Sequence, residues 1–173
     1  MKFFSGFSLK NEEYLLSEYI DKSAYTICGF SYGAIKALNA TVEMIENSQR
    51  VDRLQLFSPA FFQTKEQKFK RLQLMSYKKS KLLYMKQFIK GCFSPYEEKI
   101  VETIETDISE LQELLEYEYS LDKLKMIEES GVKIEVYLGA KDMIIDVERA
   151  REFFLQVATV TYIKEANHFL QTN

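Results

Sequence analysis

The sequence predicts an α/β fold in which a mostly parallel sheet is flanked by helices and interrupted by a long helical insert. Three observations carry this. Residues 24–45 pass from a short β-branched and aromatic run, through Gly29, into apolar residues spaced three or four apart, which is strand, turn and helix. Residues 133–163 repeat strand, helix and strand, and residues 60–120 between them carry no strand signal. Strands that alternate with helices pair in parallel, because each crossover returns the chain to the same end of the sheet.

The elements follow in order. Residues 2–4 read as a strand, and residues 12–20 as a helix with Leu15, Leu16, Tyr19 and Ile20 on its buried side. Residues 24–28 form the next strand, ended by Gly29, and from Tyr32 onward Ile35, Leu38, Val42 and Ile45 mark a helix. Residues 52–58, closed by Pro59, and residues 133–138, closed by Gly139, are further strands. Asp146 can accept an N–H of the first turn of a helix that carries Val147, Ala150, Phe153, Phe154 and Val157. Residues 160–163 make the last strand. Within the insert, Ile100, Ile104, Ile108, Leu111, Leu115 and Tyr119 recur at steps of four and three and predict one long helix. The expected organisation is a single domain, with a core of 1–59 and 121–173 and a helical cap of about 60–120.

Composition narrows the class. A chain of 173 residues, 46% of them hydrophobic, can bury an ordinary core, and 28% charged residues with many Phe and Tyr exclude a disordered segment. The net charge of −3 speaks against a chain committed to nucleic acid. Cys28 and Cys92 lie far apart, without metal or redox spacing, which fits a reducing cytoplasm and indicates neither a disulfide framework nor a zinc site. The apolar start is broken by Gly6 and followed by Lys10, Glu12 and Glu13, a poor signal peptide, and no run approaches the roughly 20 apolar residues of a spanning helix. Charge is segregated inside the insert. Residues 65–90 hold nine bases against Glu66, and residues 97–119 hold nine acids against Lys99.

The chemistry concentrates at Gly29-Phe30-Ser31-Tyr32-Gly33. A serine hydroxyl is a weak nucleophile until a base removes its proton, and a sharp strand-to-helix turn presents it to base and substrate together. The two glycines let that turn form, and the new helix aims its N-terminus and the Tyr32 N–H at a developing oxyanion. His168, the only histidine, is therefore the only imidazole base available, and it follows the last strand. A carboxylate should fix its tautomer. Asp142 fits best, at the tip of the strand before; Asp146 is the rival, but the capping role already explains it.

The order Ser31, Asp142, His168, with Leu56-Phe57-Ser58-Pro59 ending the neighbouring strand and Asn167-His168-Phe169 after the last one, resembles the α/β-hydrolases. Full members of that family begin with two more strands, so the resemblance implies a sheet short on one edge. Ser5-Gly6-Phe7-Ser8 is similar to the family's oxyanion loop, with Ser5 in place of its His, which implies the Phe7 N–H as second oxyanion donor. The shortness, the Ser-Gly-Phe start and the basic helical cap resemble the pimeloyl-acyl-carrier-protein methyl ester esterases. That resemblance implies hydrolysis of the methyl ester of a carrier-bound pimeloyl chain in biotin precursor synthesis, with no metal or organic cofactor.

An acyl carrier protein is acidic, and complementary charge steers encounter. Lys65, Lys68, Lys70, Arg71, Lys78, Lys79 and Lys81 are the expected carrier contacts, although a Lys-rich helix face is usually just solvated and the acidic run 97–119 can pair with it. Phe61, Phe62, Phe69, Tyr77, Tyr84, Phe88 and Phe93 divide between cap core and the wall of an acyl channel, most of them core. Two other readings use the same residues: an esterase or thioesterase for small molecules without a protein partner, and an inactive hydrolase fold that binds a protein through its cap.

Overall fold

The computed structural model describes all 173 residues. Strand β1 (Lys2–Phe4) leads through a loop to the two-residue β2 (Leu9–Lys10) and a single turn of 3-10 helix at Glu12–Leu16. Then come β3 (Thr26–Phe30), α1 (Tyr32–Glu46) and β4 (Arg53–Phe57). The insert holds α2 (Gln67–Lys79), α3 (Lys81–Phe93), the short β5 (Glu102–Thr103) and α4 (Ile108–Glu116). The chain returns through α5 (Leu121–Glu129) to β6 (Lys133–Gly139), α6 (Val147–Phe154) and β7 (Thr159–Ile163).

Five strands form one sheet in the order β1-β3-β4-β6-β7, parallel throughout. Its register aligns Phe30 with Phe57, Phe57 with Tyr137, and Gly139 with Ile163. All C-terminal strand ends therefore open on one edge, where Ser31, Asp142 and His168 follow β3, β6 and β7. In an open parallel sheet this is the edge at which crossovers leave room for a ligand.

Side chains alternate across the sheet with the two-residue period of a strand. Leu54, Leu56, Ile134, Val136 and Leu138 join the larger core with α1, α5 and α6. Cys28, Phe30 and Phe57 point the other way, into a smaller core closed by Leu16 and Ile20, by Cys92 and Phe93 at the end of α3, and by Phe169 and Leu170. Strand β3 is buried along its whole length, as a strand covered on both faces must be.

Three expectations change. Residues 12–20 do not form a helix beyond the 3-10 turn. The Ser17 hydroxyl takes the Tyr14 carbonyl, which a helix would have paired with the Glu18 N–H, and Gln55 of β4 takes the Tyr19 carbonyl and the Asp21 N–H at the end of the segment. The insert does contain a strand: β5 pairs antiparallel with β2, Leu9 opposite Thr103. Finally, the long helix expected from Ile100 to Tyr119 is only α4, started by the Asp107 side chain on the Ser109 N–H. Ile100 and Ile104 are solvent-exposed, so their spacing marked no buried face.

Candidate active site

Ser31 stands between β3 and α1 with φ 52° and ψ −114°, a backbone state that costs a non-glycine residue on the order of 1–3 kcal/mol. Bonds around it hold it there. The Ser31 N–H donates to the Phe57 carbonyl at 2.9 Å, and the Ser31 carbonyl accepts from Ala34 and Ala60, both at 3.1 Å. The flanking glycines are required by contact. A Cβ on Gly33 would lie 2.0 Å from the Phe4 carbonyl oxygen, and one on Gly29 would lie 2.2 Å from that of Gly33. This close approach seats the start of α1 directly against the end of β1, and so beside the loop 5–8.

Ser31, His168 and Asp142 form one hydrogen-bonded chain. His168 Nε2 is 3.0 Å from Ser31 Oγ and Nδ1 is 2.6 Å from Asp142 Oδ2. The imidazole is fully buried and packed on the Phe30 ring, centroid to centroid 5.0 Å. Asp142 Oδ1 accepts the N–H groups of Ile144, at 2.7 Å, and Ile145, at 3.3 Å, which turns its other oxygen to the ring. Asp146 lies apart, its side chain accepting the Arg149 N–H as the cap of α6. Burial, and then the Asp142 charge, push the Cys92 thiol well above its ordinary value. Both cysteines are free and buried, and no group of three or more His, Cys, Asp or Glu side chains could hold a metal ion.

The loop 5–8 is held from two sides. The Gly6 N–H donates to Glu12 Oε1 at 2.7 Å, and Ser8, at φ 56°, hydrogen-bonds the Thr106 hydroxyl of the insert. Between these anchors the Phe7 N–H has no acceptor in the chain. Tyr32 is the first residue of α1, where N–H groups lack intrahelical partners. Phe7 and Ser31 line one cavity of about 350 Å³, within the ~300–1,000 Å³ range of small-molecule sites. Its apolar wall includes Phe62, Phe69, Tyr84 and Phe88, with Leu111, Leu114 and Leu115 of α4; burial pushes the Tyr84 phenol up to about 12. Phe61 and Phe93 are core, and Tyr77 is buried with its hydroxyl on the Thr106 carbonyl.

The seven basic residues expected on one surface separate. Lys68, Arg71, Lys78 and Lys79 stand exposed on α2, beside exposed Leu72 and Met75. Lys70 does not: it is 4% exposed and meets Glu116 of α4 at 3.5 Å. Lys81 donates to the Thr106 carbonyl at 2.9 Å, and Lys65 lines the cavity. A helix packed on a neighbour turns one face inward, and charge counting along the chain does not show which of its bases fall on that face. Sequence reasoning also missed Glu12 and Thr106. Each is an ordinary polar residue in the sequence, and only the fold brings it to the loop 5–8.

Several solved structures share the fold. The carboxylesterase CesB (YbfK) of Bacillus subtilis matches with TM-score 0.58 and 16% identity over 85% of this chain and 54% of that one. The naproxen esterase (carboxylesterase NP) of Bacillus subtilis matches with TM-score 0.54 and 19% identity over 96% of this chain and 62% of that one. BioG of Haemophilus influenzae matches with TM-score 0.55 and 12% identity over 97% and 87%. The chain thus spans little more than half the length of the two Bacillus esterases. No protein-family model and no curated protein matches the sequence. The architecture is that of an α/β-hydrolase, and no helix is long and apolar enough to cross a membrane.

Proposed function

We propose that this α/β-hydrolase-fold chain is a serine carboxylesterase with Ser31 as nucleophile, His168 as base and Asp142 as the carboxylate that orients it. The observation that carries the reading is the bonded chain from Ser31 Oγ through His168 to Asp142 at a strained strand-to-helix turn. Ser31 Oγ attacks the ester carbonyl as His168 takes its proton, and the N–H groups of Tyr32 and Phe7 receive the oxyanion. The carbon–oxygen bond to the alcohol then breaks, and His168 returns the proton to the leaving alkoxide. Water, deprotonated by the same ring, releases the acid and restores the serine.

The substrate in this reading is the methyl ester of pimeloyl-acyl carrier protein, cleaved to methanol and the free acid in biotin precursor synthesis. Three features support it: the resemblance of the Ser-Gly-Phe start and basic cap, an apolar cavity at Ser31 suited to an acyl chain, and the exposed Lys68, Arg71, Lys78 and Lys79. The carrier would dock on α2, with Leu72 and Met75 between those charges. The reaction takes place in the cytoplasm in this reading and needs no cofactor.

The test is a mass-spectrometric assay on methyl pimeloyl-carrier protein. The reading expects the wild type to strip the methyl group and Ser31→Ala to leave it. Charge reversal at Lys78 and Lys79 separates the substrate classes. It should slow the carrier-bound ester and spare a short aryl ester; equal effects on both favour a small-molecule esterase. Failure of Ser31 to react with a fluorophosphonate probe would favour a non-catalytic binding module.

A further inference from the structure

His168 is wholly buried in a segment without helix or strand, so its orientation depends on whatever fixes that segment. The neighbouring Asn167 does so. Its side chain is also wholly buried, and both of its polar atoms are fully engaged. Oδ1 accepts the N–H groups of Phe169 and Gln171, each at 3.0 Å. Nδ2 donates to the Phe93 carbonyl at 2.8 Å and to Gln171 Oε1 at 3.1 Å. Backbone bonds close the same turn: Asn167 N–H to the Gln171 carbonyl and Leu170 N–H to the Asn167 carbonyl, both at 3.0 Å, with Leu170 at φ 58°. Phe93 ends α3, so one amide joins the His168 turn to a helix of the insert.

We infer that Asn167 is a positioning residue for the base: it locks the turn that carries His168, keeping Nδ1 on Asp142 and Nε2 on Ser31, and ties that turn to the end of α3. The inference rests on the reading of His168 as the base. Asn167 does not line the cavity and acts only through the ring beside it. An amide suits the task because its oxygen accepts twice while its nitrogen donates twice. Aspartate would turn a second oxygen onto the Phe93 carbonyl. Serine would keep a weaker local turn but would not reach Phe93.

Since His168 is the only histidine, a chain grown on ring-labelled histidine reports this imidazole alone in a nitrogen NMR spectrum. At a pH where the ring is neutral, the wild type should show one tautomer, with Nδ1 protonated and Nε2 bare. Asn167→Ala should show mixed tautomers, with kcat on a short aryl ester lower by on the order of 100-fold and KM little changed. Asn167→Ser should fall between, and it decides the matter if Asn167→Ala does not fold. A folded variant with the wild-type tautomer and wild-type kcat overturns the inference, as does a mixed tautomer in the wild type. A wild type that cleaves no ester, yet shows the single tautomer that the variants lose, keeps the positioning role and removes the hydrolase reading.

Discussion

The Tyr32 hydroxyl donates to Glu113 Oε2 at 2.5 Å, which binds the residue after the proposed nucleophile to helix α4 of the insert. Lys36, one turn on, lies over the Tyr32 ring and pairs with Glu110 of the same helix. Burial first, and the bond to Glu113 second, hold the Tyr32 phenol well above its usual range. The wall of the cavity and the start of α1 are therefore one joined structure. Tyr32→Phe keeps the ring and the backbone N–H and cuts this tie. We expect a loss of about 1 kcal/mol in thermal unfolding, with short-ester kcat retained. A collapse of kcat in a folded Tyr32→Phe would assign the hydroxyl itself to the chemistry.

Glu12 makes the stability depend on pH. Burial raises its pKa above the ordinary 4.5, only partly offset by the Gly6 N–H. As pH rises from 4.5 toward the raised value, the unfolded chain has released a proton that the folded chain still holds. Stability is thus fully present below the unfolded value and falls as pH rises through the folded one. Glu12→Gln keeps an acceptor for Gly6 and has no proton to lose. Its Tm relative to wild type should climb as pH rises from the ordinary carboxylate value through the raised one, and then level off. A pH-independent difference between the two would refute this.

The strand–turn–helix at Ser31 was legible because it is local: Gly29, Ser31 and Gly33 write the turn into five consecutive residues. Order along the chain then placed Asp142 and His168, since parallel strands bring their C-terminal ends to one edge. What the sequence does not show is long-range. Glu12 reads as the surface of a helix and becomes the anchor of Gly6; Lys70 reads as one base among nine and turns inward onto Glu116. The β2–β5 pair rests on two backbone rungs, with both residues of β5 exposed and polar, too short to leave a pattern. The mislaid helix at Ile100 has the reverse cause, an apolar spacing with no surface behind it.

The separation of the basic residues gives a paired test. Lys78→Glu alters an exposed side chain and should leave unfolding unchanged while slowing the carrier-bound ester. Lys70→Glu instead buries a carboxylate against Glu116 and should destabilise the fold by about 2–3 kcal/mol, slowing every ester alike. Denaturant unfolding of the two variants, beside their rates on both substrates, checks it. Equal stability would place Lys70 on the surface with the others.

Asp142 and Asp146 stand four residues apart, and their contacts give them opposite consequences. In Asp142→Asn the N–H groups of Ile144 and Ile145 still require an acceptor, so the amide oxygen stays on them and the NH₂ turns to His168. The ring must then accept at Nδ1 and carry its proton on Nε2, where it can no longer take one from Ser31. Shape is kept and the base is lost, so kcat should fall on the order of 10⁴-fold while the fold survives. Asp146→Ala removes the acceptor for the Arg149 N–H and for the exposed Thr64 hydroxyl, neither of which touches His168. It should cost about 1 kcal/mol of stability and leave kcat in place. Steady-state rates and thermal melts of the two variants decide it, and near-normal turnover by Asp142→Asn would sink the assignment of the third catalytic residue.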